Sequence, residues 1–319
     1  MKFGYVTPTR PPLGTAENTL ALAHHAEQLG LASVAVPDHV VPPKDFGPTY
    51  PYTEDGRMGW GPSGEVLEMM ALLAFLAGAT HKLTLITGVM VVPLRNPLLV
   101  AKQLATLDVL SQGRIVAGCG VGWEPIEFET IGAPPFAERG RVTDEYLRLF
   151  KEVWTKAEPA FSGTYVRIAN TPFDPKPVQK PHIPLWIGGE SPPALRRAGQ
   201  LGDAWYPIGS NQKHLLDTPG RYAAAVARMH AHARDAGRDP AAVMLAYNAL
   251  WYAEADAVRS RSGERRAFTG PFAEIVDDVR RFEDLGVKHI VLNLQAKTLV
   301  ETKARMERFA DKVAARLRN

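Results

Sequence analysis

The chain has 319 residues, 45% of them hydrophobic, which is enough for one large domain or two small ones. A formal net charge of +3 with 22% charged residues is too mild for a nucleic-acid binder, and RSRSGERR at 259–266, broken by Ser, Gly and Glu, reads as a solvated loop. A single cysteine, Cys119, excludes a disulfide framework within the chain and points to a reducing compartment.

The opening run MKFGYVTPTR is strand-like and lacks a long apolar segment, so no secretory leader is expected. No apolar stretch reaches the ~20 residues that span a bilayer. The nearest, VLEMMALLAFLAGA at 66–79, is shorter and carries Glu68. A soluble cytoplasmic protein, with neither membrane nor nucleic acid as partner, is the expectation. From here the chain alternates. Short runs that are apolar on both faces predict strands at 3–7, 33–37, 83–92, 115–118, 185–188, 204–208, 243–252 and 290–294. Helical patterns fall between them, at 16–29, 66–79, 97–111, 138–156, 192–201, 214–236, 272–285 and 299–317. Asn96-Pro97 and Ser191-Pro192 each look like an N-cap followed by Pro at N1.

The same punctuation recurs. QLGLASVAVPD, SQGRIVAGCG, QLGDAWYPIG and DLGVKHIVLNL each pass from helix to strand through a glycine. Gly30, Gly113, Gly202 and Gly286 therefore stand where a helix C′ glycine would take a left-handed backbone. Eight strands alternating with eight helices predict a (β/α)8 TIM barrel with insertion loops, a single domain over 1–319. A doubly wound open sheet is the alternative. Three stretches break the alternation. Residues 41–65 are rich in Pro, Gly and aromatics and resemble a lid-like insertion. Residues 157–184 are Pro-rich and irregular, with room for a small hairpin, and 254–270 is a polar loop.

In either fold, functional groups belong at the strand C-terminal ends. Strand 2 ends in Pro37-Asp38-His39. A His there is placed for proton transfer, and Asp38 could orient it or contact a ligand; a loop His satisfied by a nearby carbonyl is the bland alternative. Strand 3 holds Gly88, which marks either a bulge or tolerant packing. Strand 4 ends in Gly118-Cys119-Gly120-Val121-Gly122-Trp123. The spacing is not G-x-G-x-x-G, so the dinucleotide fingerprint is rejected. Either the glycines allow close packing, or they let a flat ring lie against backbone with Trp123 as a wall. Strand 5 ends in Gly188-Gly189-Glu190-Ser191-Pro192-Pro193. Amides, helix dipole and the Ser191 hydroxyl would converge there on a phosphate, although a simple N-cap explains Ser and Pro. There is no H-E-x-x-H and no Cys pair, so no metal site is expected. GPSGE at 61–65 is one residue short of a nucleophile elbow, and His24-His25 lies within a helix.

Three long blocks, SVAVPDHVV, TGVMVVPLRNPLLVAKQLATLDVLSQGRIVAGCGVGWEPIEFETIGAPPFAERG and PLWIGGESPPALRRAGQLGDAW, resemble the bacterial-luciferase-like flavin and deazaflavin oxidoreductases, most closely their F420-dependent branch. The resemblance covers nearly the whole chain. It implies a (β/α)8 barrel with an insertion, a cofactor at the C-terminal face and hydride chemistry at the ring's C5 or N5. Coenzyme F420 is the cofactor implied, with FMN as the alternative. By matching position, Asp38-His39 is the acid-His pair beside the deazaflavin, with His39 catalytic. Gly88-Val89 is the strand-3 bulge, where the family has a non-prolyl cis peptide, and Val89 and Met90 would touch the ring. Gly120, Gly122 and Trp123 would flank the cofactor, and Gly188, Gly189 and Ser191 would bind its chain and phosphate. In one respect the sequence departs. Some F420 enzymes carry an acid or amide after the strand-4 glycines, where Trp123 stands here; the acids follow at Glu124 and Glu127. Arg139 is expected to fix a helix start or an ion pair.

The first functional expectation is an F420-dependent oxidoreductase acting on a small organic molecule. The alternatives are a monooxygenase using FMNH2 and O2, and a barrel that binds a ligand without catalysis. An F420 tail would call for cations leading to solvent, for which Arg57, Arg95 and Lys213 are candidates. Tyr50, Tyr52 and Trp60 suggest an aromatic substrate pocket. A homodimer is an expectation of the resemblance.

Overall fold

The computed structural model describes residues 1–44, 49–58, 64–260 and 263–317. Trp60 and part of the 41–65 and 259–266 stretches lie outside them. Among the described residues eight parallel strands close into a barrel: β1 (Lys2–Val6), β2 (Ser33–Val36), β3 (Thr84–Thr87), β4 (Ile115–Gly120), β5 (Leu185–Ile187), β6 (Ala204–Trp205), β7 (Met244–Ala249) and β8 (Val287–Leu292). Each pairs with its neighbours in sequence, and β1 pairs with β8, Lys2 opposite His289, which completes the ring. The helices α1 (Ala16–Gln28), α2 (Met69–Ala79), α3 (Pro97–Leu110), α4 (Pro125–Thr130), α5 (Arg139–Thr155), α6 (Pro192–Leu201), α7 (Pro219–Asp235), α8 (Phe272–Asp284) and α9 (Leu299–Lys312) fill the crossovers. The fold is the expected (β/α)8 barrel with surrounding helices.

Period-2 alternation divides the apolar residues of each strand between two cores. Val6, Ala35, Ile86, Val116, Trp186, Ala204, Ala246 and Val291, one from each strand, pack inside the barrel. Phe3, Val34, Leu85, Ile115, Leu185, Trp205, Leu245 and Ile290 face the helices in the larger outer core. Burial of each such Leu, Ile or Phe stabilises by about 1.5–3 kcal/mol. Within the barrel Ser33 and His289 form a polar pair. Ser33 Oγ lies 2.7 Å from His289 Nε2, in space that the missing side chain of Gly4 leaves open. Burial holds this imidazole neutral, pushing it down to about 3.

Several boundaries differ from the sequence expectation for identifiable reasons. The run 83–92 is not one strand. β3 stops at Thr87, the Gly88–Val89 peptide bond is cis, and Met90–Val91 resumes pairing with Cys119 and Gly120. Helix α2 starts at Met69, because Glu68 caps it by accepting from the Ala71 amide. Helix α4 was not anticipated; its six residues are too few to show a period. Gly30, Gly113 and Gly286 take positive φ as expected, but Gly202 has φ −78°. There the requirement is space: a Cβ would sit 2.7 Å from Ile187 Cγ1 and 2.9 Å from the Ala198 carbonyl oxygen.

The insertions carry small sheets. Phe161–Ser162 pairs antiparallel with Arg167–Ile168, the hairpin expected within 157–184. Ala253–Glu254 pairs in parallel with Thr269–Gly270. The described part of 259–266 is not a simple solvated loop. Arg265 forms a two-pronged ion pair with Asp278 at 2.7 and 2.8 Å, and Arg266 pairs with Glu54.

Candidate active site

The strand C-terminal ends surround a cavity of about 790 Å³, within the usual range of ~300–1,000 Å³ for small-molecule sites. Asp38, His39, Gly88, Val89, Gly120, Gly122, Trp123, Gly188, Gly189 and Ser191 all line it. Met90 does not. Its side chain is fully buried in the outer core, because alternation along the extended chain turns Val89 and Val91 to the cavity and Met90 away.

The turn after β2 delivers Asp38 and His39, and the two have different partners. Asp38 Oδ2 accepts from the Val91 amide at 2.8 Å and from Arg95 Nη1 at 2.5 Å, while Oδ1 accepts from Arg95 Nη2 at 2.7 Å. Arg95 also donates to Glu68 at 2.8 Å. Burial works against the Arg95 charge, but the two acids outweigh it and raise its pKa. Asp38 therefore fastens β2 to the segment after the cis bond, and it does not orient His39. The same pairing commits Arg95, which removes it as a tail-binding candidate.

His39 is oriented from α4. Its Nδ1 lies 2.8 Å from Glu127 Oε2, and Glu127 Oε1 accepts from the amides of Val40 and Val41 at 3.0 and 3.3 Å. Burial alone would raise the Glu127 pKa, but the His39 hydrogen bond and charge and the two amides bring it down, so the group is a carboxylate. A carboxylate can only accept, which places the proton on Nδ1 and makes Nε2 the basic nitrogen. Neighbouring Glu124 is spent on capping α4 through the Ile126 amide.

The strand-4 glycines serve a purpose beyond leaving room for a ligand. A Cβ at Gly118 would stand 2.0 Å from the Thr87 carbonyl oxygen, and one at Gly120 would stand 2.7 Å from Val89 Cγ2. Gly188 would place one 3.1 Å from Val89 Cγ1. These residues thus surround Val89 and let it project to the cavity. Gly122 combines φ +82° with a Cβ position 2.7 Å from Val91 and 2.8 Å from Phe128. Arg139 donates to the Gly122 carbonyl at 3.2 Å and to the Phe136 carbonyl at 2.9 Å. It braces the strand-4 loop against the start of α5, as a helix-start residue would. Trp123 packs edge-on against His39, centroids 6.4 Å apart, and against Tyr50 at 5.2 Å; Tyr50 in turn meets Tyr52 at 5.4 Å.

At the end of β5, Gly189 has φ +96° and Ser191 leads α6 without a side-chain capping bond. The sequence expectation of free first amides is only partly met. Pro192 and Pro193 occupy the first two helical positions and carry no N–H, so Ala194 supplies the first amide of the helix. Glu190 was missed by sequence reasoning. It is 2% exposed, lines the cavity, and accepts from the Ile208 amide at 2.7 Å and Asn211 Nδ2 at 3.0 Å. Burial pushes its carboxyl up to about 7, against those hydrogen bonds. An acid set between a glycine pair and a helix cap at a strand end was the available signal. Among the described residues no group of His, Cys, Asp and Glu could hold a metal ion, and no helix is long and apolar enough to cross a membrane.

Residues 1–249 match the family described as luciferase-like monooxygenase. The chain belongs to that family. An uncharacterized protein of Mycobacterium tuberculosis is 30% identical over 306 residues, covering 93% of this chain and 95% of its own. An FMNH(2)-dependent dimethylsulfone monooxygenase of Pseudomonas putida is 36% identical over 146 residues, covering 45% of this chain and 40% of its own. Among solved structures, the coenzyme F420 dependent tetrahydromethanopterin reductase from Methanopyrus kandleri has a TM-score of 0.76 at 16% identity, covering 99% of both chains. A monooxygenase from Streptomyces bottropensis has 0.77 at 22% identity, covering 99% of this chain and 100% of its own. These two share the barrel.

Proposed function

We propose that this luciferase-like enzyme is an F420-dependent oxidoreductase, transferring a hydride between the deazaflavin and a small organic substrate in the cavity above β1–β8. One observation carries the reading: His39 stands in the cavity wall with its tautomer fixed by Glu127. The cavity fits a flat ring with a phosphorylated chain. Val89 projects into it from the bulge, flanked by Gly120 and Gly188, and Gly189, Ser191 and the Ala194 amide offer a modest anion cradle. When bound, the cofactor supplies the hydride chemistry.

The chain's own residues supply the rest. Asp38 and Arg95 hold the bulge, so Val89 is presented in a fixed place. Glu127 orients the His39 imidazole, whose Nε2 holds or delivers the proton that accompanies hydride movement on the substrate. Tyr50, Tyr52 and Trp123 cover one side of the cavity with aromatic surface and keep water from it. Work in the cytoplasm and as a homodimer belongs to the same proposal.

A second reading, an FMNH2- and O2-dependent monooxygenase, draws support from the similarity to the dimethylsulfone monooxygenase. Equilibrium binding of F420 and FMN to the purified protein, followed by fluorescence quenching, separates the two. Tight F420 binding with feeble FMN binding is the expected result. The reverse moves the protein to the monooxygenases, and binding of neither removes the site assignment.

A further inference from the structure

Arg10, Asp38, His39, Glu124, Glu127, Arg139, Glu190 and Arg197 bring charge to the lining of the cavity. The strands β6 and β7 and the turn after β8 contribute Tyr206, Asn248, Leu250, Asn293 and Gln295, with the Glu190 carboxyl beside them on the Ile208 amide. Two buried groups of these strands find no hydrogen-bond partner within the protein: Tyr206 Oη and Asn248 Oδ1, in side chains 0% and 2% exposed.

Both sit on adjoining strands in fixed register. Tyr206 donates its amide to the Ile187 carbonyl, and Asn248 exchanges backbone bonds with Pro207 and Gly209. Tyr206 is further held by edge-on packing against Trp186, centroids 5.5 Å apart. Neither side chain is needed by its backbone, and an apolar residue would fill either place without leaving a polar atom unmatched. Buried polar groups are normally paired, so an unpaired pair facing a cavity indicates a ligand that completes it. The complement is specific. Asn248 Oδ1 is an acceptor and requires a donor, while the phenol of Tyr206 can donate to an acceptor. With no cation among these residues and the Glu190 carboxyl beside them, carboxylates and phosphates are disfavoured there.

We propose that Tyr206 and Asn248 form a subsite for the edge of a neutral amide or cyclic imide, N–H to Asn248 and C=O to Tyr206. This rests on the reading of the cavity as a ring-and-substrate site. That edge occurs both on isoalloxazine-type rings and on uncharged substrates, so the two sources are tested separately. The first arm measures binding of riboflavin against 3-methylriboflavin, which lacks the N–H. The second measures binding of succinimide against N-methylsuccinimide to protein saturated with whichever of F420 and FMN it binds.

A loss of about tenfold on N-methylation in the first arm assigns the subsite to the cofactor ring; the same loss in the second arm alone assigns it to the substrate. Asn248→Leu keeps the bulk but removes the acceptor, so it should weaken the N–H probe to the level of its methylated partner. Tyr206→Phe should weaken both members of a pair alike. A steric origin would preserve the N-methyl discrimination in Asn248→Leu and would overturn the proposal. Equal binding of N–H and N-methyl probes to the wild-type protein in both arms overturns it without any variant. Neither arm measures turnover, so failure of the hydride-transfer reading would register elsewhere.

Discussion

His39 and Glu127 act as a unit, and their roles separate on substitution. His39→Ala should abolish turnover while largely sparing cofactor binding, since the glycines and Val89 remain. Glu127→Ala should lower kcat about 10²-fold or more, because the imidazole loses both its tautomer and its anchor. Equal loss of binding and turnover in His39→Ala, read by fluorescence titration beside steady-state rates, would sink the assigned role. Glu190 offers a prediction in the opposite sense. Its carboxyl rises from the ordinary 4.5 to about 7 in the fold. Between those values the folded chain keeps a proton that the unfolded chain releases, so the group's stabilising contribution is complete at low pH and is lost as pH rises through the window. The loss is at most about 3 kcal/mol. Glu190→Gln keeps an acceptor for Ile208 and Asn211 and cannot ionise, so its Tm should gain on the wild type at pH 8 relative to pH 5. A Tm difference between variant and wild type that stays the same at both pH values would contradict this.

The strands and their glycines were legible to different depths. Glycine punctuation marked four of the eight barrel strands and short apolar runs marked the others, because both are local properties of the chain. Helix α4 and the break at Gly88 were not visible in periodicity; the first has only six residues, and at the second a lone glycine left a bulge and tolerant packing both open until the family resemblance pointed to the bulge. What the glycines are for was legible only in part. For Gly118 the packing reading holds, since its missing side chain accommodates the carbonyl of Thr87 on the neighbouring strand. Gly118→Ala would force β3 and β4 apart and should cost about 3 kcal/mol or more. Gly286→Ala has φ +94° but open space around it, its nearest neighbour Leu245 Cδ1 standing at 3.6 Å. It should cost only about 1–2 kcal/mol. Denaturant unfolding of the two variants checks the order, and a Gly286 variant less stable than the Gly118 one would refute it. The Asp38–Arg95 pair belongs to the same scale, since it joins β2 to the bulge. Arg95→Met leaves a buried carboxylate without its cation and should cost about 3–5 kcal/mol.

Across the whole molecule, the described part of the 41–65 insertion reaches three separate crossovers of the barrel mouth. Tyr50 packs on Trp123 after β4, the Pro51 carbonyl accepts from the Gln212 amide after β6, and Glu54 pairs with Arg266 after β7. Sequence reasoning found the insertion and its aromatic character, but these ties join residues up to 212 positions apart, and no local pattern announces them. The three ties differ in strength. The aromatic contact and the backbone bond are insensitive to salt, whereas the Glu54–Arg266 pair is partly exposed, with side chains at 37% and 16%. Such a pair contributes about 1 kcal/mol or less to global stability and is screened by added salt. Its effect should therefore fall on local motion of residues 49–58, of which Tyr50, Pro51, Tyr52 and Met58 line the cavity. Arg266→Ala is expected to leave Tm within a few degrees of wild type, to raise hydrogen exchange across residues 49–58, and to speed cofactor dissociation several-fold in stopped-flow displacement. High salt should speed dissociation from the wild type and leave the variant nearly unchanged. If the variant releases cofactor at the wild-type rate, the Glu54–Arg266 pair has no part in retaining it.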